Sequence, residues 1–231
     1  MARKEQYQYI AEIFKYPSSE AYIKKVNECH TMMQRDYPES ARKLDRFLDF
    51  VNSNTLYRIE EVYNLTFHIQ AICFLDIGYV LFGEDYKSGD FLVHMKREQE
   101  KIGHDCGCEL PDNLAMILEL MALSDEEELV NELGKRILIP AADKMSREFA
   151  TARIELRAKL HKKKQKVFIA KDEKVGNVYE GPVNALLNML RVDFDNLQFE
   201  TVEFKPEFGQ NFLVNCSSCS EHEPVVAKKV K

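Results

Sequence analysis

Apolar residues recur along most of the chain at three- and four-residue spacing, and prolines cut this pattern into helix-length segments. Lys4 to Lys15 sets Tyr7, Ile10 and Phe14 on one helical face before Pro17 stops the run. Ser18 or Ser19 can cap a second helix carrying Tyr22, Ile23, Val26, Cys29 and Met33. Pro38 can open a third, with Leu44, Phe47, Leu48 and Val51 on its apolar face. From Asn54 onward Leu56, Ile59, Val62, Tyr63, Thr66 and Phe67 keep the same rhythm, with Arg58, Glu60, Glu61 and Asn64 mostly off it. Cys73 to Phe82 is apolar nearly all round, which predicts a helix at the centre of the domain, with Gly78 permitting a close crossing.

Gly83 to Asp90 predicts a break, after which Phe91 to Ile102 resumes helical spacing until Gly103. His104 to Asp112 reads as a loop, and Leu114, Ile117, Leu118 and Met121 predict a helix over Asn113 to Leu123. Ser124 with Glu127 fits a capping box for the next helix, and Pro140 is expected to separate that helix from a long one ending near His161. Past Lys162 the basic run HKKKQK leads into a segment without a helical period, followed by a short helix over Pro182 to Arg191. The alternating QFETVEF and the polar end beyond it admit two short strands or a mobile tail. The expected architecture is all-α: a single-domain helical bundle over residues 1–165, then a poorly ordered C-terminal extension over 166–231 with a short helix near 182–191 and a mobile Cys-containing tail.

Composition narrows the function classes. With 231 residues and 45% hydrophobic content the chain can bury a sizeable core, and its net charge of -6 disfavours non-specific attraction to nucleic acid or an anionic membrane. The basic segment Arg153 to Lys171 reads as a solvated helix end without a recognition motif, so no nucleic-acid partner is expected. The longest apolar run, Ile69 to Phe82, contains Gln70, Asp76 and Gly78 and falls short of the ~20 residues of a spanning helix, so no stable membrane association is expected. The N-terminal residues lack the apolar core of a secretory signal, which predicts a cytoplasmic protein. There is no phosphate-binding glycine loop, no HExxH and no GxSxG, and no catalytic residue is nominated; the chain is expected not to be an enzyme. Six cysteines without framework spacing suit reduced thiols. Cys216, Cys219 and His222 offer three soft or borderline metal ligands, to which His104, Cys106 and Cys108 can add. A single CxxC leaves two readings open: unpaired tail thiols, or a metal-binding helical adaptor or regulator acting through this tail.

Four places carry a family likeness. A Tyr-Pro turn, Tyr16-Pro17, ends the first helix; a Glu-x-Tyr-x-x-x-Phe element follows at Glu61, Tyr63 and Phe67; an acid and a glycine, Asp76 and Gly78, lead into GEDYxxGxFLV from Gly83 to Val93; and Glu-Leu-Pro-Asp closes the block at Glu109 to Asp112. The chain resembles the NarJ/TorD-type molybdoenzyme assembly chaperones, the nitrate reductase delta subunit-like proteins, most firmly from about Tyr57 to Met121. NVYEGPVNALLNML resembles the final helix of such proteins. The resemblance implies a TorD-like helical bundle, monomeric or weakly dimeric and without a cofactor of its own. It would bind the immature catalytic molybdenum subunit of a dimethyl sulfoxide reductase-superfamily oxidoreductase through that subunit's N-terminal peptide, and assist molybdenum cofactor insertion. One residue departs: the family's Tyr-x-x-x-Phe-Asp reads here Tyr63 to Phe67 and then His68.

Binding an amphipathic peptide needs an apolar floor and a rim of opposite charge. Tyr63, Phe67, Phe82, Tyr86 and Phe91 are candidate floor, and Glu84, Asp85, Asp90, Glu109 and Asp112 candidate rim, with Glu61 and His68 drawn in by the resemblance. The other reading of the same residues is aromatic core and solvated loop acids. Asp76, alone in ICFLDIGYVLF, either caps or pairs within the fold, or faces the ligand.

Overall fold

The computed structural model describes residues 4–69, 71–162 and 178–196, with side chains as far as residue 152 and again from 178. Every regular element among them is helical, as the periodicity predicts: α1 (Glu5–Phe14), α2 (Ala21–Asp36), α3 (Pro38–Ser53), α4 (Leu56–Phe67), α5 (Ile77–Phe82), α6 (Tyr86–Lys101), α7 (Leu114–Leu123), α8 (Glu127–Glu132), α9 (Ile139–Lys162) and α10 (Glu180–Phe194). The described residues contain no strand beyond one isolated antiparallel bridge, Asp76 to Asn113. The segment QFETVEF lies outside them.

Helix α1 lies between α2 and α7, and α3 packs on both α2 and α10. The burial of Tyr7, Ile10, Ala11, Ile13 and Phe14 on a helix of ten residues leaves the carbonyls of its last turn in the interior. Such carbonyls have no intrahelical partner. Two phenols supply them: Tyr22 donates to the Ile13 carbonyl at 2.8 Å and Tyr63 to the Phe14 carbonyl at 3.0 Å. Asp193 on α10 accepts from the Tyr7 hydroxyl, from Tyr37 at 2.9 Å and from the Gln6 amide at 3.3 Å, tying α10 to α1 and to the start of α3.

Several expectations are corrected. The centre is held by α7, with Leu114 to Leu118, Leu120 and Met121 all buried, and by α10, rather than by Cys73 to Phe82. Only Ile77–Phe82 of that stretch is helical, and Phe74 and Tyr79 meet edge to face while 40% and 38% exposed. Cys73, Leu75, Ile77 and Val80 are buried, so the stretch contributes core on one side and exposed aromatics on the other. Gly83 to Asp90 is not wholly a break, because Asp85 caps α6 by accepting from the Lys87 amide at 3.0 Å and the helix starts at Tyr86. Neither Ser18 nor Ser19 caps α2, whose N-cap position is Glu20, without a side-chain cap bond. Ser124 accepts from the Glu126 amide at 3.1 Å, one residue nearer than a capping box would place it.

Pro140 does not separate two helices. It has no N–H to return to Arg136, and its ring would crowd that carbonyl in a regular helix. A π-helical segment, Leu133–Leu138, precedes it, and the Ile139 amide bonds the Gly134 carbonyl five residues back, so the widened turn absorbs the proline and α9 continues. The boundary expected after residue 165 also moves. Helix α10 belongs to the same compact unit as α1–α9: Pro182, Val183, Ala185, Leu186, Met189, Leu190 and Phe194 are buried against α3, α9 and the π segment. At Gly134 any Cβ would lie 2.3 Å from the Phe194 ring, which explains the glycine at that crossing.

Candidate functional site

Two of the distant segments that carried the family likeness, the Tyr-Pro turn and NVYEG, meet the Glu-x-Tyr-x-x-x-Phe element at Tyr63. Its ring makes an edge contact with Tyr16 of the Tyr-Pro turn, with centroids 5.5 Å apart. It also contacts Phe67 at 5.1 Å, His68 at 5.6 Å and Tyr179 at 5.9 Å. Tyr179, from the NVYEG segment just before α10, packs on Phe67 and Phe47 and shares a hydroxyl contact of 3.2 Å with Tyr22. Because Tyr22 donates its proton to Ile13, Tyr179 is the donor of that pair. Burial pushes the Tyr63 phenol well up, and the charges of Glu109 and Asp76 act in the same direction, which places both carboxylates within electrostatic reach of this ring.

Asp76 and Asp112 are brought together by the isolated bridge. The Ile77 amide donates to the Asp112 carbonyl at 2.9 Å and the Leu114 amide to the Leu75 carbonyl at 2.8 Å. The side chain of Asp112 crosses to α5, where its Oδ2 accepts from the Gly78 amide at 3.1 Å. Asp112 thus performs the capping that Asp76, at the N-cap position of α5, leaves undone. Gly78 is required here, since a Cβ would fall 2.8 Å from Asp112 Oδ2 and 3.0 Å from the Ser88 carbonyl. The close crossing expected at Gly78 is therefore with a carboxylate and the first turn of α6.

This geometry leaves charge without full compensation. Asp112 is 2% exposed, and its Oδ1 is buried with no hydrogen-bond partner. Burial, reinforced by the charge of Asp76, pushes its carboxyl up to about 6, against the Gly78 amide, which stabilises the ionised form. Burial also raises Asp76, opposed by His68. Among the described residues Asp76 forms no ion pair with Lys or Arg. At neutral pH the corner is electron-rich and suited to a cation. Asn113 stiffens it, capping α7 through the Ala115 amide at 2.9 Å and donating to Glu109 at 3.2 Å.

The remaining candidates fall in three places. Tyr63 and Phe67 are buried and underlie the surface rather than lining it. Glu84, Asp85, Tyr86 and Asp90 form an exposed corner between α5 and α6, with Tyr86 75% exposed. Glu61 is exposed on α4 and paired with Arg58. Of the other proposed floor residues, Phe82 is half-buried and Phe91 buried, their rings 6.2 Å apart. The sequence reading did not single out Tyr16, Tyr179, Phe74 or Tyr79 as parts of one site; the Phe74–Tyr79 pair had been assigned to the core. Cys216, Cys219 and His222 lie outside the described residues. No group of three His, Cys, Asp or Glu side chains among the described residues is arranged to hold a metal ion.

No described helix is long and apolar enough to cross a membrane. Compared with known proteins, the sequence matches no protein-family model and no curated protein.

Proposed function

We propose that this chain is a system-specific assembly chaperone of the NarJ/TorD type, binding the immature catalytic subunit of a nitrate reductase-like molybdenum oxidoreductase in the cytoplasm. The observation that carries the reading is that segments spread over about a hundred residues form two neighbouring groups, Tyr16 on Tyr63 and Asp76 and Gly78 on Asp112, linked by the charge of Asp76 acting on Tyr63. Beyond the oxygen that caps α5, Asp112 keeps a second buried oxygen without a partner, which a basic client group could satisfy.

The exposed aromatics Phe74, Tyr79 and Tyr86 offer apolar anchors to a client peptide, and Asp76, Glu84, Asp85, Asp90 and Glu109 offer carboxylates to its Arg or Lys residues. The work is equilibrium binding. Preference for the unfilled client biases that client towards an open state, and closure around inserted molybdenum cofactor removes the differential affinity and releases the chaperone.

The test is affinity capture from native cells, with wild type and with Glu84→Lys/Asp85→Lys, the fold of each checked by circular dichroism. Wild type is expected to retain a large, molybdenum-poor oxidoreductase subunit. The double variant should bind that subunit's N-terminal peptide about tenfold more weakly, since two rim charges change sign. Capture of no such subunit would refute the chaperone reading; unchanged peptide affinity would remove the α5–α6 corner from the binding surface.

A further inference from the structure

The turn that leads into the Glu109 to Asp112 corner carries two thiols one residue apart, Cys106 and Cys108, both reduced. The turn is closed by the Glu109 amide donating to the Cys106 carbonyl at 3.0 Å and by the Gly107 amide donating to Asp105 Oδ1 at 2.9 Å. Gly107 sits at φ 60°, a conformation that a side chain would resist and glycine accepts. Two Cα steps of ~3.8 Å hold residues i and i+2 at a separation overlapping the range of about 4.4–6.8 Å that a disulfide spans.

The two thiols differ in surroundings. Cys108 is exposed, whereas the half-buried Cys106 thiol donates to Gln99 Oε1. Gln99 is itself buried, and its amide nitrogen donates to the Pro111 carbonyl at 2.8 Å, immediately before Asp112. A continuous chain of hydrogen bonds therefore runs from the Cys106 sulfur through Gln99 to the backbone that positions the Asp112 carboxylate.

We propose that Cys106 and Cys108 form a reversible thiol–disulfide switch whose state is relayed through Gln99 to the Pro111–Asp112 corner. The oxidant is a small-molecule disulfide such as glutathione disulfide. The Cys108 thiolate attacks one of its sulfurs, forming a mixed disulfide and expelling one glutathione thiolate; Cys106 loses its proton to solvent and attacks the Cys108 sulfur, expelling the second. Two protein thiols are oxidised, and one glutathione disulfide is reduced to two thiols. Burial holds the Cys106 thiol above its ordinary range, so the first attack falls to the exposed Cys108. Turning the Cys106 sulfur towards Cys108 removes the donor from Gln99 Oε1, leaves a buried acceptor unsatisfied and slackens the hold on Pro111.

The full chain is equilibrated across a series of glutathione redox buffers, alkylated and mapped by mass spectrometry. Both cysteines fall on one tryptic peptide, between Lys101 and Lys135, so the internal disulfide registers as the loss of two hydrogens and of both alkylation sites. The expected product is that peptide, absent in Cys108→Ser. In the oxidised protein, amide hydrogen exchange at Ile77 and Leu114, whose N–H groups close the bridge, should rise on the order of tenfold. Continued alkylation of both thiols across the series, a persistent glutathione adduct on Cys108, or linkage of either to Cys216 or Cys219 would overturn the switch. An internal disulfide with unchanged exchange at both amides would overturn the relay. Neither readout depends on a client protein.

Discussion

Replacing Asp112 with asparagine tests whether a buried, incompletely compensated carboxylate lies at the centre of this site. In the native protein its carboxyl is raised from 3.8 to about 6. A rise of about two units corresponds to roughly 3 kcal/mol between the protonated and ionised states. The native state holds this proton to a higher pH than the unfolded chain does, so the stability tied to it is full below about pH 4 and is lost as pH rises through about 6. The amide introduced by Asp112→Asn would carry no charge at any of these pH values, while its oxygen can still accept from the Gly78 amide. The unfolding free energy of the variant, measured by urea denaturation with circular dichroism, should therefore gain on that of wild type by about 1–3 kcal/mol between about pH 4 and pH 7.5. Taking the difference between the two proteins removes the carboxylates they share. A difference that stays flat across this range, or moves the other way, would show that Asp112 is solvated or paired, and the electrostatic account of the corner would fail.

Two further substitutions examine how the corner is held. Gly78→Ala places a methyl group 2.8 Å from Asp112 Oδ2 and 3.0 Å from the Ser88 carbonyl, so the urea midpoint should fall by the equivalent of about 1–3 kcal/mol; an unchanged midpoint would mean that α5 can move away from Asp112 freely. Tyr63→Phe removes the donor to the Phe14 carbonyl and should cost about 1–2 kcal/mol in the same assay, with the helical spectrum retained, because the ring contacts with Tyr16, Phe67 and Tyr179 remain.

Helix positions were readable in the sequence wherever a one-sided apolar stripe met a strong stop. The run from Tyr7 to Phe14 before Pro17, the Pro38 start, and the segment from Leu114 to Leu123 all appear where the spacing puts them. The readings that failed share a cause. Cys73 to Phe82 and Pro140 were judged by residue type alone, yet whether Phe74 faces solvent, or a proline is absorbed by a π turn, depends on what packs beside it. The same holds for α10, whose period suggested a short helix in an extension although its partners, α3 and α9, make it core.

For the site, the sequence alone determined the ingredients: the clustered acids from Glu84 to Asp90, the Glu109 to Asp112 turn, the isolated Asp76 and the aromatics Tyr63 and Phe67. These follow from chemistry that each residue carries wherever it sits. Tertiary structure decided their roles, because burial and hydrogen bonding are properties of neighbours. It put Asp112 rather than Asp76 at the end of α5, set Tyr63 beneath the surface with Tyr16 against it, and left one carboxylate oxygen buried without a donor. No spacing along one strand of sequence encodes that last fact, since it requires two loops 36 residues apart to meet, as Asp76 and Asp112 do, and exclude water together.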